Sequence, residues 1–406
     1  MKRKTAAWFI LSLLFIATGL SFLDRQVLSM TIIKIQEEFK FSDVQYGIVN
    51  TSFLISYALM FTIGGWLMDR VGTRVGLAFS VGLWSIASSL HGVMTGFYQL
   101  VAFRFLLGAG EGGCFPGAVK TVYQWFDEKK RGLANGVAIG GAAIGAVIAP
   151  PLTIMISNNL GWRLSFVIPG LAGIVWVFAW LAIPWGERSH AKKAKASAHS
   201  VLFMKLLANR EGLIFLLIRF MLDPVLYFIM FWAPKYLNEQ RHIPFERIGN
   251  LFWIPFLALG LSNIIGGWLS DLLVKRNVSI NRARKIVMGA AAALTLGAPL
   301  IAFVSTVEMA VALMSLVMFA HGLWITNYIT SIADMFGANG TSTVVGLSGT
   351  AGAVSSLIIN PMIGWVVQNY SYNPIWILSG IMYPVAFLVF IVCIPKIRLL
   401  EFARAT

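Results

Sequence analysis

Gly64-Gly65-Trp66-Leu67-Met68-Asp69 returns later in the same chain as Gly266-Gly267-Trp268-Leu269-Ser270-Asp271, with five identities in six positions at an offset of 202 residues. Further landmarks repeat at an offset of 210: Gly136 with Gly346, Pro151 with Pro361 and Gly170 with Gly380. The shift between the two offsets falls where the long polar loop Leu272–Lys285 replaces the short Arg70–Arg74. The chain is therefore built from two related halves that run in the same order.

Around these repeats the sequence is apolar to an extent that a water-facing surface does not allow. Of 406 residues, 58% are hydrophobic and 12% charged, against about 45–50% and about 25% in soluble domains. Apolar stretches near the roughly 20 residues that cross a hydrocarbon core recur along the chain. We read twelve spans: 7–33, 44–68, 75–95, 98–125, 132–156, 163–185, 212–236, 247–271, 286–304, 307–334, 343–367 and 374–395. The expected fold is an all-α integral membrane protein, with twelve transmembrane helices in two six-helix halves around a central cavity. The halves are 1–185 and 212–406, and the polar stretch 186–211 is a cytoplasmic linker between them.

The net charge of +15 is topological information. Basic residues gather in alternate loops: Lys2 to Lys4, Arg70 and Arg74, Lys129 to Arg131, the linker, and Lys275 to Lys285. That alternation follows the positive-inside rule with both termini cytoplasmic, and it removes the nucleic-acid reading that such a charge invites in a soluble protein. Met1-Lys2-Arg3-Lys4 before an apolar run has the look of a signal peptide. Asp24-Arg25 follows it without a small-residue cleavage site, so we read an uncleaved first helix. Cys114 and Cys393 are far apart and lie in apolar segments, which supports neither a disulfide framework nor a metal site. No nucleophile–base pairing, metal-ligand spacing or nucleotide loop is present, so an enzyme is not expected, nor is a cofactor.

Ionisable residues inside the spans carry the functional information, since each costs at least about 2.5–3.5 kcal/mol on insertion scales. They are Asp24 and Arg25, Arg104 and Glu111, Arg219 and Asp223, and His321. All fall on the first helix of a three-helix unit. Arg104 and Glu111, seven residues apart, share one helix face. Arg219 and Asp223, at i and i+4, can pair directly, and a mutual ion pair is as good a reading of them as a ligand site.

Burial favours the neutral form of a carboxyl and a nearby arginine favours the charged form, so such a group can exchange a proton during a transport cycle. A planar guanidinium holds a carboxylate in two-pronged fashion. Asp24 and Glu111 are thus expected to carry protons, with Arg25, Arg104 or Arg219 meeting an anionic substrate. Asp223, Tyr57, Tyr227, His321 and Asn360 join them as candidate substrate contacts. Asp69, Arg70, Arg74, Asp271 and Arg284, in the loops after the second and eighth spans, form a candidate gate of interlocking charges. Glycines on one face of the fifth span (Gly136, Gly140, Gly141, Gly145) and of the eleventh (Gly346, Gly349, Gly352) are expected to let helices approach closely.

At these residues the chain resembles the major facilitator superfamily, whose loop signature is similar to Gly65-Trp66-Leu67-Met68-Asp69-Arg70-Val71-Gly72-Thr73-Arg74. Asp24-Arg25, Arg104 with Gly108 to Glu111, Phe115-Pro116 and Trp125-Phe126 before Lys130-Arg131 resemble its anion:cation symporter family. Arg219-Phe220, Asp223-Pro224, Phe319-Ala320-His321 and Gly346 to Gly349 look like the hexuronate branch, although Phe22 stands where many members carry tyrosine. The resemblance implies proton-coupled uptake of a sugar acid such as galacturonate, glucuronate or an aldonate. It also implies proton sites at Asp24 and Glu111, and a monomer in the cell inner membrane. Protons are the expected coupling ion, with sodium the less favoured alternative. The alternatives are an antiporter or exporter of an organic anion or drug and, from another class, a non-transporting membrane sensor.

Overall fold

The computed structural model describes residues 3–126, 128–183 and 209–400. The expected linker 186–211 lies outside them except for its last three residues. No strand occurs among the described residues. The helices are α1 (Arg3–Phe39), α2 (Asp43–Leu90), α3 (Phe97–Glu111), α4 (Cys114–Trp125), α5 (Glu128–Leu160) and α6 (Leu164–Leu181). After the linker come α7 (Arg210–Glu239), α8 (Phe245–Leu251), α9 (Trp253–Lys275), α10 (Ile280–Thr295), α11 (Val307–Asn369) and α12 (Asn373–Cys393).

Eleven described stretches are long and apolar enough to cross a membrane, which makes this a multi-pass membrane protein. The fourth expected span, 98–125, is broken. Phe97–Glu111 and Cys114–Trp125 are separated at Gly112-Gly113, and Pro116 has no N–H to close the turn onto the Gly112 carbonyl. The break falls immediately after Glu111. Other expected spans run together instead: α2 covers two of them with a kink at Gly72, whose φ of 81° suits a residue without a β-carbon. A capping box closes the start of α2, where the Ser42 hydroxyl accepts from the Gln45 N–H and the Gln45 side chain accepts from the Ser42 N–H.

The chain forms two compact units: Met1–Lys193 with Met230–Trp253 and Asn360–Gln368, and Ala194–Ile229 with Ile254–Ile359 and Asn369–Thr406. In the first unit α1 packs along α5, and α2 along α3, α4 and α6. Small residues set the α1–α5 distance, since a β-carbon on Gly145 would stand 2.9 Å from Gly19 Cα and one on Gly19 would stand 3.2 Å from the Gly141 carbonyl oxygen. The glycine-face expectation holds at Gly141, Gly145 and Gly352 only; Gly136, Gly140, Gly346 and Gly349 face open space.

Two segments from the second half of the sequence belong to the first unit, and identifiable contacts hold them there. Tyr46 donates to the Phe231 carbonyl at 2.5 Å, and its ring meets Trp232 edge-on. Trp232 Nε1 donates to Asn360 Oδ1 at 3.1 Å. Lys235, buried in an apolar setting, pairs with Asp43 at 2.7 Å and with Glu239 one turn along α7. In the second unit α10 packs on α12.

Candidate functional site

Each unit carries its own cluster of buried charge. In the first, α1 presents Asp24 and Arg25 from adjacent positions, about 100° apart around the helix, so they meet different neighbours. Arg25 crosses to the broken end of α3, where its Nε and Nη2 donate to Glu111 Oε2 at 3.2 and 2.8 Å. The pair is sealed, with side chains 4% and 0% exposed. Aromatic rings enclose the guanidinium: Phe22 and Tyr57 have ring centroids 4.6 Å from it and Phe53 5.1 Å, a desolvated setting in which cation–π attraction strengthens.

Asp24 turns instead toward α2. Its Oδ1 accepts from the Ser88 hydroxyl at 2.7 Å, and its Oδ2 has no hydrogen-bond partner. The Trp84 indole N–H lies beside it outside hydrogen-bonding geometry. Glu111 Oε1 is buried without a partner as well. Arg104, about two turns before the break, forms no ion pair among the described residues; its Nη2 reaches the Arg25 carbonyl at 3.4 Å and its Nε is unpartnered. Two acids and two arginines are thus brought together with only one pair closed, leaving two carboxyl oxygens and a guanidinium nitrogen buried and unmatched.

Spacing along the chain did not reveal this arrangement. Glu111 has no basic residue one turn away on its own helix, and the sequence left it without a counter-charge. Its partner is Arg25, 86 positions away. Arg25 is accordingly occupied rather than open to a ligand in this state. Ser88 and Trp84 were not singled out, although a hydroxyl and an indole in otherwise apolar spans are the available signal.

In the second unit, Arg219 Nε pairs with Asp223 Oδ1 at 2.5 Å within one turn of α7, as their spacing allows. The arginine side chain remains 20% exposed. Gly352 on α11 makes room for Asp223, since a β-carbon there would stand 2.9 Å from Asp223 Cβ. Tyr328 donates to the Phe215 carbonyl at 2.7 Å. Tyr227, half-buried, is within electrostatic reach of Arg219. His321 on α11 meets Tyr383 on α12, a residue not singled out in the sequence.

Other candidates lie elsewhere. Asn360, in the first unit, accepts from Trp232 Nε1 on its side-chain oxygen, and its backbone carbonyl oxygen lies against Gly47. Among the gate residues, Arg284 sits 3.6 Å from Asp271 and 3.2 Å from Asp334, and also donates to Ser270. Arg74 donates to the Leu181 carbonyl at 2.6 Å, capping the end of α6, and accepts from Trp180 through its own carbonyl. Arg70 is exposed, and the side chain of Asp69 lies outside the described residues.

The model of the Major Facilitator Superfamily matches residues 14–360. The chain belongs to that superfamily. Its relatives and its family are transporters rather than enzymes. It is 26% identical to a hexuronate transporter of Escherichia coli over 92% of this chain and 91% of that one. It is 28% identical to a D-galactonate transporter of another Escherichia coli strain, over 90% of each. Its fold matches a bacterial homologue of the human lysosomal transporter Spinster, solved in an inward-facing and occupied conformation, with a TM-score of 0.78 at 17% identity over 97% of this chain and 98% of that one. Superfamily transporters of sugar acids are thus the chain's relatives, and the solved neighbour shares its fold.

Proposed function

We propose that this transporter imports a sugar acid, a hexuronate or an aldonate, by symport with protons. The observation that carries the reading is the unbalanced cluster of Asp24, Arg25, Arg104 and Glu111. Arg25 held by an ionised Glu111 is closed to other anions. A proton arriving on Glu111 removes the charge that holds the guanidinium, whose planar fork then accepts a substrate carboxylate against the aromatic walls of Phe22, Phe53 and Tyr57. Arg104 supplies a second positive charge that keeps an anion favourable there. Asp24, bound on one oxygen only, is the other proton carrier. Proton and substrate thereby bind together, which is the condition for symport.

The relatives named above support the sugar-acid class. Arg219, Tyr227 and His321 of the second unit contribute polar contacts suited to a hydroxylated anion, with Asp223 holding Arg219. The alternation of basic loops supports cytoplasmic termini in the inner membrane, and the protein works as a monomer. Arg284 with Asp271 and Asp334 serves the cytoplasmic gate.

The test is uptake of labelled glucuronate and galactonate into liposomes containing the purified protein. Accumulation of either, driven by an inward proton gradient and unaffected by a sodium gradient, is the expected result. Accumulation driven only by an outward proton gradient would replace symport with exchange. Failure of the whole sugar-acid panel with transport of another organic anion would overturn the substrate class.

A further inference from the structure

The second unit contains a hydrogen bond whose direction can be deduced. Tyr383 is fully buried, and its hydroxyl lies 2.5 Å from Nδ1 of His321. The phenol is held from two sides: the His321 ring stands edge-on to it with centroids 6.2 Å apart, and Trp324 does the same at 5.7 Å. Among the described residues the hydroxyl makes no other hydrogen bond. A buried O–H without an acceptor is costly, so its hydrogen must go to the one acceptor in reach, the Nδ1 lone pair. An Nδ1–H donating to the phenol oxygen would strand the phenol hydrogen. The imidazole proton therefore sits on Nε2. Nε2 bonds to no described residue, and the residue keeps 5% of its surface exposed. Arg219 and Asp223 lie within electrostatic reach of Tyr383, so the histidine belongs to the polar cluster of this unit.

We propose that Tyr383 is a positioning residue: it holds His321 in the Nε2–H tautomer, so that the histidine offers a donor to a hydroxyl or carboxylate oxygen of the sugar acid. The inference rests on the reading of His321 as a substrate contact. The phenol touches no ligand itself; it acts through the ring.

Two measurements separate the tautomer from that premise. In the full-length protein labelled with 15N-histidine, the His321 signal, identified by its loss in His321→Gln, is expected to show the Nε2–H form alone. Tyr383→Phe keeps the ring packing and should yield a mixture of tautomers. An Nδ1–H or doubly protonated ring in the unmodified protein, or an unchanged tautomer in Tyr383→Phe, overturns the proposal whatever the substrate. In liposomes, Tyr383→Phe should raise the KM for the better of glucuronate and galactonate in proportion to the Nε2–H fraction lost, about twofold for an even mixture, with kcat unchanged.

His321→Gln places an amide N–H where Nε2 stood. It should keep a KM near that of the unmodified protein and make Tyr383→Phe silent, whereas His321→Asn, whose amide stands at the Nδ1 position, should not. An equal effect of Tyr383→Phe in both the histidine and the glutamine backgrounds would show a merely structural role and overturn the proposal. An unchanged KM in His321→Ala would overturn the substrate contact, and the NMR result would then stand apart from it.

Discussion

The two halves repeat their scaffold but not their charges. Gly64 to Asp69 and Gly266 to Asp271 repeat one motif with a single difference, while the buried ionisable groups differ in number and in how they are matched. In the first unit an ion pair links two helices, α1 to α3, and leaves Asp24 and Arg104 without ionic partners of their own among the described residues. In the second, acid and base sit one turn apart on α7, and the rest of the cluster is neutral: an imidazole, a phenol and an indole. A pair within one helix persists whatever the neighbouring helices do. A pair between helices depends on their spacing and on the protonation of its acid. Under the function proposed above, the first unit would exchange protons and bind the substrate carboxylate, and the second would orient its hydroxyls.

The strongest way to break this comparison is to orphan the acids. Arg25→Ala leaves Glu111 buried without its counter-charge and should destabilise the protein by about 3–5 kcal/mol, read as a fall in thermal unfolding midpoint in detergent. Arg219→Ala should cost less, because Asp223, though itself buried, is reached by water once the 20% exposed arginine side chain is removed. Equal losses would erase the distinction between the units.

Arg25→Lys comes next. It keeps the charge and loses the two-pronged geometry, so the substrate KM should rise about tenfold with the fold intact. The smallest effects concern two glycines of α11. Gly352→Ala presses on Asp223 and should raise KM modestly, whereas Gly349→Ala, facing open space, should stay within about 0.5 kcal/mol of the parent protein in stability.

These contrasts also show how far the sequence could be read. Hydropathy and the Gly-Gly-Trp-Leu repeat were enough for the membrane fold, because span length and chain order are local properties. The Arg219–Asp223 pair was legible for the same reason, being set by helix pitch. Arg25–Glu111 and His321–Tyr383 were not, since which faces meet depends on helix rotation in the bundle. The break after Glu111 was written in Gly112, Gly113 and Pro116 but is masked by the apolar run on either side. The Trp232–Asn360 hydrogen bond was not legible either, because nothing in the neighbourhood of Asn360 reveals its partner. Lys235 left a clear trace, a lysine one turn before Glu239, which reads as an ordinary loop charge until Asp43 is found beside it.

The central claim is that the carboxyls of the first unit couple protons to transport. The direct test compares two assays on Glu111→Gln and Asp24→Asn in liposomes: accumulation driven by an inward proton gradient, and exchange of labelled for unlabelled substrate with no gradient. The account predicts that accumulation is lost in both variants, while exchange, which needs no net proton movement, continues. Accumulation at the level of the unmodified protein in both would contradict it and move the proton site out of the first unit.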